Sequence, residues 1–186
     1  MLKACIALST VLLSTNPQIA AAQQKPPASA GKSCEAFVKE FYGWYLPIAQ
    51  AEIERHVDPL DLAVKANPPV LSRELIHGLE AVRAEETKTG DAGLDFDPVL
   101  NSQDPGDPGD PPYLIRDARV EGDICRADVY YQSRNGKSER IVVPELRTEH
   151  DHWIFTNFRY PNSSYPESGN LVSLIKNYLR LSTKAQ

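Results

Sequence analysis

Six side chains with oxygen donors, Asp95, Asp97, Asn101, Asp104, Asp107 and Asp110, fall within sixteen residues. Oxygen-rich loops of this kind can hold Ca²⁺, but the spacing is not that of an EF-hand. Asp97 precedes Pro98 and Asp104 precedes Pro105. In that pairing the Asp side chain accepts from nearby backbone N–H groups and Pro fixes φ, which is turn chemistry. Asp95, Asp97, Asn101, Ser102 and Gln103 are therefore expected to form a structural knot joining helices to a sheet, or one rim of a cavity. No metal is expected there. His150 and His152 would put two imidazoles on one face of a strand, half of a zinc site, but an exposed turn accounts for them better. His56 and His77 lack ligand-like spacing. The sequence has no glycine-rich phosphate cradle, no Gly-x-Ser-x-Gly elbow and no His-Glu-x-x-His. No catalytic residue and no cofactor is predicted.

Three cysteines, Cys5, Cys34 and Cys125, raise the question of compartment. Residues 1–22 carry Lys3, an apolar run from 4 to 13, and the small residues Ala20, Ala21 and Ala22, which is the pattern of a secretory signal peptide. The apolar run is too short to cross about 30 Å of hydrocarbon. Cleavage near Ala22 would send the mature chain to the periplasm or outside the cell. Cys34 follows Gly31-Lys32-Ser33, which is not a lipidation box. Two cysteines then remain in an oxidising compartment, and their even number suggests a Cys34–Cys125 disulfide. Two buried free thiols and a cysteine nucleophile are the competing readings.

The chain has 186 residues and a formal net charge of −5, with 41% hydrophobic residues, enough for one domain with a real core. An acidic balance without a Lys/Arg run argues against nucleic acid or an anionic membrane surface as partner. No stretch of the mature chain is long and apolar enough to span a membrane.

Residues 23–32 are small, polar and Pro-rich, a flexible leader, and a single domain is expected over 33–182. Phe37, Phe41, Trp44 and Tyr45 mark one helical face that Pro47 ends or kinks. Asp58-Pro59 is an N-cap followed by Pro at the first helical position. Ser72 starts a third helix with Leu75, Leu79 and Val82 on its core face, and Leu71 and Ile76 form a hydrophobic staple. Gly90 and Gly93 close the helical half. The period then changes to two, with strands predicted at 113–120, 124–132, 139–148 and 152–160. Asn135-Gly136 signals a type I′ hairpin turn, and 149–151 a second turn. Asn170 caps a last helix with an apolar stripe from Leu171 to Leu179. The fold class is α+β: N-terminal helices packed on an antiparallel meander, with a C-terminal helix.

The segment Gly93-Leu94-Asp95-Phe96-Asp97-Pro98-Val99-Leu100-Asn101-Ser102-Gln103-Asp104-Pro105 carries a family resemblance, together with Phe-x-x-x-Phe-Tyr-x-Trp-Tyr at 37–45 and His-Trp-Ile-Phe-x-Asn-Phe at 152–158. These residues resemble the bacterial domain-of-unknown-function family numbered 3828, over about residues 34–180. That family is similar to the nuclear transport factor 2-like superfamily, which implies secretion and a curved sheet wrapped on helices around a conical cavity. The insertion-like Pro-Gly-Asp repeat at 105–110 departs from the pattern. The resemblance supplies no catalytic residues.

Under that resemblance, aromatics of the first helix and inner strands would line the cone, and otherwise they fill the core. The candidate ligand-binding set is Trp44, Tyr45, Asp128, Tyr130 and Trp153. Asp128 and Arg126 alternate with the apolar face of their strand, and point either into a cavity or out from the sheet. The function expected is a secreted periplasmic module, non-catalytic, that binds a small ligand in the cone or a partner protein on the open sheet face. The alternatives are a periplasmic enzyme with an acid in the cavity, Asp128 first, and an immunity or inhibitor protein that blocks a periplasmic effector.

Overall fold

The computed structural model describes residues 32–52, 56–107, 113–162 and 169–183. The predicted signal peptide, the leader apart from Lys32, and the tip of the Pro-Gly-Asp insertion lie outside the described residues. Ser33 starts the first helix, α1 (Cys34–Gln50), by accepting from the Ala36 N–H at 3.2 Å. Phe37, Phe41 and Tyr45, four residues apart, bury completely along one face. Pro47 does not end the helix, which runs three residues further. Its ring removes a donor to the carbonyl of Gly43, and both residues lie on the exposed side, where that carbonyl is open to solvent.

Asp58 caps α2 (Pro59–Val64) by accepting from the Leu60 N–H at 2.7 Å, and Ser72 caps α3 (Arg73–Thr89) through the Leu75 N–H at 3.3 Å. The chain entering α3 is stitched to the sheet, with Phe155 N–H donating to Val70 and Ser72 N–H to Phe155, both at 2.8 Å. Leu71 is thereby buried and Gly90 ends α3 in the left-handed region at φ 73°.

Four strands follow, β1 (Leu114–Glu121), β2 (Ile124–Gln132), β3 (Ser138–Glu149) and β4 (His152–Arg159), paired antiparallel in chain order as one curved sheet. The hairpin at Asn135-Gly136 forms, but not as a two-residue I′ turn. Only Gly136 takes a positive φ, 82°, and the Ser133 N–H donates to the Lys137 carbonyl across a longer loop. The turn with two positive φ angles is at His150 and Asp151, 50° and 63°, where the pair joins β3 directly to β4.

The space between α1 and the sheet is filled by rings. Phe155 meets Phe41 at 4.5 Å, Phe158 at 5.2 Å and Phe37 at 5.4 Å between centroids. Asn170 caps the last helix, α4 (Leu171–Ser182), whose Leu171 and Ile175 face inward. A Cβ on Gly78 would come within 3.1 Å of Ile175, so the missing side chain lets α3 and α4 close on each other. A disulfide joins Cys34, the first residue of α1, to Cys125 on β2, with Cα atoms 6.5 Å apart.

Candidate functional site

The segment singled out by its Asp, Asn and Pro residues is a joint. One carboxylate oxygen of Asp97 accepts from the N–H groups of Val99 at 2.8 Å and Leu100 at 3.1 Å. Asp97 and Ser102 also exchange backbone hydrogen bonds, closing a small loop. Gln103 donates to Asp95 at 3.2 Å, and Asn101, at φ 51°, donates its amide to the Ile141 carbonyl on β3. Two tyrosine hydroxyls pin the loop from outside: Tyr42 of α1 donates to Val99 O at 2.9 Å, and Tyr160 after β4 to Pro98 O at 3.0 Å. Val99 and Leu100 are fully buried beneath them. The anchoring tyrosines were not separable in sequence from tyrosines that merely fill the core.

The same joint forms one wall of a cleft of about 400 Å³, whose other walls are the last turns of α1, the start of α2 and the middle of α3. Its apolar lining comes from Leu60, Leu79, Val82, Leu94 and Phe96. Around these stand the carboxylates of Glu52, Asp58, Glu86, Asp95 and Asp97 against one guanidinium, Arg83. Arg83 is already engaged, at 3.0 Å from Asp58 and in contact with Asp61. The cleft therefore carries excess negative charge over an apolar lining.

Desolvation raises the half-buried Asp97 carboxyl to about 6; the N–H groups of Leu100 and Val99 and the Tyr45 hydroxyl pull it back down, and Asp58 pushes it up. Glu52 is raised as well, by burial first and by Asp58 second. Tyr45 is fully buried and its phenol lies well above its ordinary value, through desolvation and then the nearby Asp97 and Asp58 charges. Its hydroxyl faces Asp97 yet closes no well-formed hydrogen bond on a protein group. A buried hydroxyl so placed directs its proton at Asp97 and leaves its lone pairs for a donor in the cleft.

Among the described residues no three His, Cys, Asp or Glu side chains converge as a metal site would require. His150 lies exposed in its turn.

The five candidate ligand-binding residues do not meet. Tyr45 lines the cleft, and half-buried Trp44 packs edge-on against it at 5.9 Å. Trp153 donates its indole N–H to the Lys32 carbonyl at 2.9 Å. Tyr130 lies on the opposite face of the sheet under Arg116, 5.4 Å from the ring centre. Asp128 is on that face too, its carboxylate held between Arg119 and Arg140 at 3.3 and 3.2 Å. Sequence reasoning missed Glu52, Asp58 and Glu86 as cleft residues, because each sits on a different helix end or face and no local pattern groups them.

The chain matches no family model, no curated protein and no solved structure.

Proposed function

We propose that the protein is a secreted, non-catalytic binding module that takes a small organic cation, such as an aliphatic amine or guanidine, in the acidic cleft. The observation that carries this reading is the cleft's composition: five carboxylates and one already paired guanidinium around an apolar lining, with the buried Tyr45 hydroxyl at its back. A volume near 400 Å³ suits a ligand of that size. An ammonium group would replace its hydration with carboxylate oxygens, while its alkyl body covers Leu60, Leu79 and Phe96.

Secretion is supported by the Cys34–Cys125 disulfide and by the fact that no helix of the described residues is long and apolar enough to cross a membrane. In this reading residues 1–22 are the signal peptide and the periplasm is the destination. The fold is then a nuclear transport factor 2-like cone whose interior the Phe37, Phe41, Phe155 and Phe158 rings have closed, which moves the ligand site from the cone to its helical rim.

Absence of catalysis rests on the role of Asp97. Of the cleft's two raised carboxyls, Asp97 is the more buried, and it holds two backbone N–H groups of the joint, so cycling its proton would loosen the wall it belongs to. Thermal unfolding of the periplasmic protein tests the reading. Putrescine and agmatine should raise the melting temperature in a concentration-dependent way, whereas succinate and Ca²⁺ should leave it unmoved. No shift with any cation, or equal shifts with the anion, would remove the proposal.

A further inference from the structure

We infer that the open face of the sheet, opposite the helices, docks an acidic partner protein. Each strand contributes at least one arginine to it, and four line a shared groove: Arg119 from β1, Arg126 from β2, Arg140 from β3 and Arg159 from β4. Arg119 and Arg126 are direct cross-strand partners in register. Like charges directly opposite each other destabilise a sheet unless they are countered. The pair is held by two carboxylates beneath it. Asp128 takes Arg119 on one oxygen at 3.3 Å and Arg140 on the other at 3.2 Å. Glu145 accepts Arg126 and Arg159 on one oxygen, both at 2.7 Å, and Asn157 on the other at 3.3 Å.

The depth of these groups separates scaffold from contact surface. The Asp128 and Glu145 side chains are 7% and 9% exposed, whereas those of Arg119, Arg140 and Arg159 are 40%, 44% and 51% exposed. An incoming molecule meets guanidinium groups, each oriented by a carboxylate below that uses only part of its five donors. Such prior orientation lowers the entropy lost on binding. Among the described residues the face also carries Arg116, above Tyr130, and Arg147, paired with Asp123, together with the acids Glu121 and Glu149, so its arginines are in slight excess in a chain of net charge −5. A groove of about 390 Å³ floored by Val143 and Tyr160 runs between them and shares no lining residue with the acidic cleft.

The occupant follows from extent and charge. Arginines on four adjacent strands cover about 14 Å, three strand spacings, which is wider than one carboxylate or phosphate and fits several acidic side chains side by side. So slight an excess is too small for nucleic acid or an anionic bilayer, which call for denser basic clusters. The planar guanidinium fork matches carboxylates.

Fluorescence anisotropy of a labelled octaglutamate peptide against the secreted protein at low salt tests the inference. Binding should be saturable, should weaken with salt, and should be at least about tenfold weaker in the Arg140→Gln/Arg159→Gln variant. Octalysine should not bind. If the double variant does not fold, Arg140→Gln alone should still weaken binding severalfold, since Asp128 keeps Arg119. Failure of octaglutamate to bind up to millimolar concentration, unchanged affinity in a folded variant, or equal binding of inorganic phosphate or of phosphatidylglycerol vesicles would overturn it.

Discussion

Tyr42 donates its hydroxyl to the Val99 carbonyl at 2.9 Å, a buried bond that ties α1 to a loop fifty-seven residues later. Replacing Tyr42 by Phe keeps the ring and leaves that carbonyl unsatisfied in the interior. The expected cost is about 1–2 kcal/mol, read as a lower urea midpoint with an unchanged m-value.

Asp97 makes the joint sensitive to pH. Its carboxyl titrates near 6 in the folded chain against 3.8 for the unperturbed group. A folded value above the unfolded one means that this group's contribution is fully present below about 3.8 and is lost as pH rises through about 6. The loss amounts to at most about 3 kcal/mol. The Asp97→Asn variant keeps an acceptor oxygen for Val99 and Leu100 but does not ionise. Its stability relative to the parent should therefore increase between pH 4.5 and pH 7.5 in urea titrations. Asp97→Ala loses the acceptor and should be destabilised at both pH values.

Gly93 is required for two reasons that a double-mutant cycle separates. Its φ is 60°, and a Cβ there would fall 1.5 Å from the Glu86 carboxylate that accepts the Leu94 N–H. Gly90 has φ 73° and open space around it. Gly93→Ala should therefore destabilise more than Gly90→Ala, by about 1 kcal/mol. In a Glu86→Ala background the two should become equal.

The disulfide was legible from cysteine number together with the expected compartment, because two cysteines in an oxidising environment pair. Its loop of 91 residues predicts a loss of about 4–5 kcal/mol on reduction in the chain-entropy model. Thiol labelling of unreduced, denatured mature protein should give no signal. Two reactive thiols would contradict the pairing.

Local chemistry was readable elsewhere for the same reason. Ser33, Asp58, Ser72 and Asn170 cap the helices expected of them, since a cap depends only on residues within one turn. The change of period from helix to strand located all four strands. What failed depended on tertiary surroundings. Pro47 does not end α1, whose Gly43 side faces solvent, and the two-residue turn with positive φ fell to His150 and Asp151 because the pairing of β3 with β4 leaves only two residues between them. Single members of both charged sites were named from sequence, Asp95, Asp97 and Tyr45 of the cleft and Arg126 and Asp128 of the sheet face, but neither site was visible as a whole. The cleft gathers Glu52, Asp58 and Glu86 from three places in the chain, and the clamp on Asp128 depends on strand register that alternation alone does not specify.

Calorimetric titration of agmatine into the purified protein at pH 7.5 and pH 5.0 tests the proposal of a cation-binding cleft most directly. Saturable binding is expected at pH 7.5, several times weaker at pH 5.0 where Asp97, with its carboxyl near 6, is mostly protonated, and weaker in both Glu52→Gln and Asp97→Asn. Absence of binding at pH 7.5, or affinity unchanged by pH and by both substitutions, would contradict the account.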